Sequence, residues 1–190
     1  MLANVEENLK EHVEALRAWG IPVFVQYPRT VAEGIRMVEE LGAITGTEER
    51  AREITAPLWA LYRQGERLGE TRRRARVFCP IWRNPYMTIN RDTYVHDMLA
   101  LAGGDNVFAE RSERYPEVTL DEVAAARPEV VLLPDEPYRF RKVHVQDFAP
   151  YADVPAVRDG RIHLVDGKLL AWHGPRIGEA LQMLPSLLHL

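Results

Sequence analysis

Aromatic side chains gathered on a loop at the end of an apolar strand can form a flat platform for a ligand, because rings supply large contact area at small entropy cost. The stretch from Val77 to Ala109, VFCPIWRNPYMTINRDTYVHDMLALAGGDNVFA, has that composition. Val77 to Trp82 is a short apolar run with β-propensity, RNP breaks it, and TYVHDMLALAGG reads as a helix closed by Gly103 and Gly104. The loop between them carries Trp82, Tyr86, Met87 and Asn90. Ligands of open α/β sheets bind in the crevice outside the carboxyl ends of the strands, which makes this loop the first candidate surface. The competing reading is that Trp82 and Tyr86 plug the loop against their own domain, since aromatic residues are mostly core.

Other chemistry is harder to assemble. The six histidines, His12, His96, His144, His163, His173 and His189, show neither HxH nor HExxH spacing, so a metal cage built by the protein alone is not expected. The single cysteine, Cys79, excludes an internal disulfide and reads as a buried small apolar residue within VFCPIW. Gly103 and Gly104 follow a helix, whereas a phosphate cradle precedes one, so they read as a helix cap. Asp135 to Phe140, DEPYRF, falls at the end of the strand VVLLP, where Glu136 and Arg139 could line a cleft edge or stay solvated. An enzyme using Asp97, His96 and Glu136 at a strand end is one rival reading, although no nucleophile–base–oxyanion arrangement emerges.

The elements that would position these groups are those of an ordinary globular α/β chain. Its 190 residues are 46% hydrophobic and 27% charged. A net charge of −4 and a pI near 5.9 argue against nucleic acid as a partner. The one basic cluster, Arg72, Arg73, Arg74 and Arg76, reads as a solvated helix end. No apolar run approaches the roughly 20 residues of a membrane span, and LANVEENLKEHVEAL is too acidic for a signal peptide.

Asn4 to Trp19 places Val5, Leu9, Val13 and Leu16 on one side of a helix that Gly20 can close. Ile21 to Tyr27 reads as a strand, and Thr30 with Glu33 makes a capping box for a second helix ended by Gly46. One strand cannot make a sheet, so this α-β-α unit is expected to be the closing portion of a parallel layer. Thr47 to Arg74 then reads as a helix about 42 Å long, the length of a strut, with Ala51, Ile54, Leu58, Leu61, Tyr62 and Leu68 on one face and Glu48–Arg52 and Glu70–Arg74 pairs elsewhere. Pro57 should kink it or mark a boundary. Strand and helix candidates alternate afterwards at Arg76–Trp82, Thr93–Ala102, Leu120–Ala126, Val130–Leu133, Arg161–Val165 and Pro175–Leu188. The expected organisation is two α/β lobes joined by a long backbone helix: residues 1–46 as the remainder of an incomplete amino-terminal lobe, 47–75 as the connecting helix and 76–190 as the carboxyl-terminal lobe.

The order PRTVAEGIRMVEELGAITGTEERA, long helix, NPYMTINRDTYVHDMLALAGGDNVFAE, YPEVTLDEVAAARPEVVLLP and WHGPRIGEAL resembles the class III periplasmic solute-binding proteins, the cobalamin, iron-siderophore and haem receptors of ABC importers, also called helical-backbone metal receptors. The resemblance covers nearly the whole chain. It implies a ligand held between two lobes, a location in the periplasm or on the outer face of the cytoplasmic membrane, an ABC permease as partner and no resident cofactor. Members of the family have about another half-lobe before the segment that begins here. A fragment, a late gene start and a first lobe completed by exchange with a second copy are three expectations, the last implying a homodimer. A non-transport interaction module is the corresponding rival function.

Residue by residue, the resemblance implies that Tyr86 in NPYMT, Tyr115 in RYPEVT and Arg176 in GPR touch or border the ligand, with Trp82 beside them. Arg176 has the alternative of pairing with a surface acid. Trp172 suits a cleft wall, and His173 is either a ligand to a chelated metal or an exposed polar residue. Asp121, with Glu122 beside it, matches an acid that meets basic residues of the permease, or else favours a helix amino terminus capped by Thr119. A metal would arrive already chelated, and lobe closure should be small because a continuous helix resists bending.

Overall fold

The computed structural model describes residues 1–71 and 73–189; Arg72, the side chain of Glu70 with its expected Arg74 pairing, and Leu190 lie outside the described residues. Leu2–Asn4 is a strand, β1, and the helix α1 covers only Lys10–Ala18. The apolar spacing that suggested a longer helix includes Val5 and Leu9, which are exposed, while Val13 alone of that stripe is buried. The strand β2, Phe24–Gln26, pairs in parallel with β1, so the unit is a two-stranded β-α-β layer rather than a lone strand between helices.

Thr30 then starts α2, Val31–Thr45. Its hydroxyl accepts from the Glu33 amide while the Glu33 carboxylate accepts from the Thr30 amide, and Gly46 closes the helix at φ 69°. The connecting helix α3, Glu48–Thr71, is about 36 Å long and continues through Pro57, which lies on its exposed side, so no boundary falls there. Ala51, Thr55 and Leu58 are buried along one stripe. A Cβ on Gly42 would stand 2.4 Å from the Ala51 Cβ, which shows how closely α2 lies on α3. The indole N–H of Trp59 donates to Glu39 at 2.8 Å across the same pair of helices.

Beyond α3 come β3 (Ala75–Phe78), β4 (Tyr86–Met87), α4 (Tyr94–Leu101), β5 (Gly104–Asn106), β6 (Glu117–Val118), α5 (Leu120–Ala126) and β7 (Val130–Pro134). A run of 3-10 turns over Lys142–Tyr151 leads to α6 (Pro155–Arg158), β8 (Ile162–Val165), α7 (Gly167–Ala171) and α8 (Ile177–Leu188). A parallel sheet of order β5-β3-β7-β8 forms the centre of this lobe, and β4 and β6 make a separate antiparallel pair. Gly103, at φ 93°, ends α4 as expected, but Gly104 is the first residue of β5 rather than part of the cap.

Strand alternation sorts the core onto two faces. Val77, Val130 and Leu132 point to one side and pack with Met98 and Leu99 of α4 and Leu184 of α8. Phe78, Val131 and Leu133 point to the other and meet Val123 of α5, Phe148 and Ala156. Cys79 lies in the first cluster, 1% exposed, and burial pushes its thiol up to about 12. That first cluster also takes in Val31 and Ile35 of α2 and Leu58 of α3, so all three segments of the chain share one apolar core. The basic residues after α3 are engaged locally: Arg73 pairs with Glu129, and Arg74 donates to the carbonyls of Ala100 and Gly104 at 3.1 Å each.

Candidate ligand-binding cleft

Residues at and just beyond the carboxyl ends of strands in two parallel sheets face one cleft of about 540 Å³: Asn4 at the end of β1 with Glu6 and Glu7 after it, Pro28 after β2, Ile81 after β3, and Glu136 and Pro137 after β7. The first turn of α4, the Arg114–Tyr115 pair before β6 and the Ala171–His173 segment after α7 complete its walls. This is the strand-end crevice that α/β architecture provides, here shared between two sheets. A larger hollow of about 730 Å³ near Arg139 and Arg141 is a shallow, wide-open depression on the carboxyl lobe alone.

Four of the residues singled out in the sequence are brought together here: Tyr115, Glu136, Trp172 and His173. Tyr115 is 37% exposed, and its hydroxyl donates to Glu6 Oε1 at 2.6 Å. Burial and the Glu6 carboxylate raise its phenol well above the ordinary tyrosine range. Trp172 is half-exposed and donates its indole N–H to Glu136 Oε1 at 2.9 Å. His173 lies edge-on to the Tyr94 ring, with centroids 4.5 Å apart. Burial lowers its pKa, with the Glu6 carboxylate pulling the other way, so the imidazole is favoured in its neutral form.

Tyr86 is placed elsewhere, which corrects its reading as a cleft platform. The antiparallel pairing of Tyr86 with Val118 turns its ring into the lobe, where it is 9% exposed and stacks on Phe140. Its hydroxyl donates to Asp147 Oδ2 at 2.7 Å, and Arg83 grips the same carboxylate through Nε and Nη2. Buried as well as bonded internally, Tyr86 is a core residue. Arg176 is likewise outside the cleft lining, paired with Asp166 at 3.1 Å, the surface-acid alternative. Trp82 is 44% exposed, bridges to Met87 and meets Tyr138 edge-to-face. These two rings come one residue after the lining residues Ile81 and Pro137, just outside the cleft.

Several lining residues escaped the sequence reading. Arg114 is the most connected of them: its guanidinium pairs with Glu6 at 3.0 Å and lies over the rings of Tyr27 and Tyr115, 4.8 and 5.3 Å from their centroids. Its position beside Tyr115 was the available signal. Glu6 had none, because it reads as part of an acidic helix face. Tyr94, 4% exposed, forms part of the cleft floor, and Gly34 of α2 approaches it so closely that a Cβ there would meet its ring at 3.3 Å.

The rival catalytic set is not assembled. Glu136 lines the cleft, whereas Asp97 accepts the Val31 amide at 2.6 Å beneath the start of α2, outside the cleft lining. His96 also lies outside that lining. Among the described residues, no group of three or more His, Cys, Asp or Glu side chains is placed to hold a bare metal ion. Nor is any helix among them long and apolar enough to cross a membrane.

Two parallel sheets opening at their carboxyl ends onto one aromatic-walled crevice, with a single long helix behind them, are the build of a two-lobed α/β binding protein. The chain belongs to the periplasmic binding protein family, which its sequence matches over residues 8–169. The class III resemblance read from its motifs agrees with that membership. Among curated relatives, the vitamin B12-binding protein of Salmonella typhimurium is 27% identical over 128 residues, covering 66% of this chain and 47% of that protein. The vitamin B12-binding protein of Pectobacterium carotovorum is 22% identical over 192 residues, 99% of this chain and 66% of that one.

Among solved structures, the fold is similar to the periplasmic vitamin B12-binding protein BtuF of Vibrio cholerae, with a TM-score of 0.83 at 17% identity over 98% of this chain and 72% of that one. The periplasmic heme-binding protein RhuT from Roseiflexus sp. RS-1 gives a TM-score of 0.82 at 24% identity, over 98% and 73%. The chain spans about half the length of most of the curated relatives it matches.

Proposed function

We propose that this chain is the substrate-binding component, or the larger part of one, of an ABC importer for a metal chelate of the cobalamin, ferric siderophore or haem kind. The observation that carries this reading is the cleft in which Tyr115, Trp172 and His173 converge between the carboxyl ends of two parallel sheets. Its walls combine apolar surface with a few convergent polar groups, as small-molecule sites do. The protein performs no bond chemistry in this reading: it grips the organic rim of a preformed chelate by shape and stacking, on the outer side of the cytoplasmic membrane. The family membership and the vitamin B12-binding and heme-binding relatives support it.

Delivery to a permease belongs to the same proposal and rests on Asp121, exposed near the amino terminus of α5 with one oxygen accepting from the Tyr151 hydroxyl at 2.8 Å. Glu122 stands beside it as the second acid of the proposed docking surface, while also capping Thr119 and pairing with Arg111. Self-association through the amino-terminal sheet is a further part, read by the mass of the chain in size-exclusion chromatography with light scattering.

The test is a parallel titration of the purified chain with cobalamin, haem and a ferric hydroxamate, followed by tryptophan quenching and ligand absorbance, with Trp172→Phe and Tyr115→Ala as comparisons. Saturable binding of at least one chelate, weakened at least about tenfold (about 1.4 kcal/mol) by Tyr115→Ala, is expected. A folded chain that binds none of the three would overturn the proposal.

A further inference from the structure

Resting on that reading, we infer that the cleft selects chelates without net negative charge, neutral or cationic ones rimmed by amide or hydroxamate oxygens, and discriminates against those that present free carboxylates or catecholates. The observation behind it is the balance of formal charge around the cavity. Three carboxylates line it, on Glu6, Glu7 and Glu136, against one guanidinium, that of Arg114.

Three of the donors that an anionic ligand would need are engaged by those carboxylates, whereas the buried Arg114 Nε and Tyr94 hydroxyl have no partner among the described residues. Arg114 pairs with Glu6 through Nη1, 3.0 Å away, and its guanidinium lies over the rings of Tyr27 and Tyr115. The Tyr115 hydroxyl is bonded to the same Glu6 oxygen. The Trp172 indole N–H is bonded to Glu136. Glu6 and Arg114 cancel, which leaves Glu7 and Glu136 as the uncompensated charges of the lining.

The basic groups just outside do not reverse the sign. Arg176 is paired with Asp166 and Arg83 with Asp147. Lys168 sits over the Trp172 ring, 5.2 Å from its centroid and outside the lining; counting it still leaves the surroundings negative by one. His173 contributes no charge at neutral pH, since burial holds its imidazole neutral. A cleft of one sign with low-dielectric walls focuses that field on whatever enters it, and like charge brought against it is penalised.

The experiment compares, within each pair, related ligands that differ in charge. Cobalamin is titrated against the same corrinoid with one peripheral amide hydrolysed to a carboxylate, a linear ferric trihydroxamate bearing a free ammonium against its N-succinylated form, and haem alongside. Within each pair the member lacking the carboxylate should bind about tenfold more tightly at low salt. That gap should shrink at least about threefold both in the Glu7→Gln/Glu136→Gln variant and at high ionic strength, where exposed charges are screened. The glutamine at 136 keeps an oxygen for the Trp172 indole, and a thermal melt confirms that the variant is folded. Equal or tighter binding of the carboxylate members, an unaltered gap in the variant, or haem as the tightest ligand would overturn the charge selection and leave the receptor reading standing. Binding of no ligand at all would instead remove that reading, and the selection with it.

Discussion

His173 shows how one side chain can sit where the sequence placed it for reasons the sequence does not contain. The sequence left it as either a ligand to a chelated metal or an exposed polar residue; the structure tucks its imidazole against Tyr94 and under α2, and burial then favours the neutral ring. Burial lowers the pKa values of His96 and His163 as well. In each case the unfolded chain takes up a proton more readily than the folded one, so stability falls as pH drops below the ordinary imidazole value of about 6.5 and levels off once the folded rings are protonated. Chemical denaturation between neutral and mildly acid pH should show this slope, and His173→Gln should make it shallower. Asp97, whose carboxyl burial raises, acts in the opposite sense, in the carboxylate range. Tyr86 marks the limit of reading at this scale. Its anchor, Asp147, lies 61 residues away, so NPYMT by itself leaves the inward and outward readings both open.

Elements with chemical punctuation were legible, and those held by pairing alone were not. Thr30 with Glu33 and Thr119 with Glu122 mark the starts of α2 and α5, and the fully buried VVLLP run is the central strand β7. β1 and β5 are three residues each, too short to show alternation, and exist because parallel neighbours supply their hydrogen bonds. The seam between α2 and α3 is another feature no periodicity shows, since it depends on Gly42 meeting Ala51. Gly42→Ala should cost about 1–3 kcal/mol through overpacking, measured as a lower denaturation midpoint. Ala51→Gly added to it should recover most of the loss; a purely additive double variant would show that the helices are not held by this approach.

At the scale of the molecule, stability is unevenly shared. α2, α3 and the carboxyl lobe bury residues in one common cluster, whereas β1 and β2 form a two-stranded parallel sheet beside exposed Leu2, Val5, Leu9 and Trp19. Two parallel strands alone are a marginal unit. Hydrogen exchange should therefore be fastest at the amides of residues 1–26 and slowest in β3, β7 and α4. Comparable protection in β1 and β7 would contradict this.

The bond from the Val31 amide to Asp97 has a broader effect. It caps α2 with a carboxylate borrowed from α4, and with Arg29 paired to Asp92 and Gly34 pressed on Tyr94 it fastens the two sides of the cleft floor together. In the role proposed above, empty and loaded molecules built this way would share nearly the same outline. A permease would then have little change of shape by which to tell a full receptor from a vacant one. Occupancy would have to be legible at the mouth of the cleft, where the cargo's own rim becomes part of the surface on view.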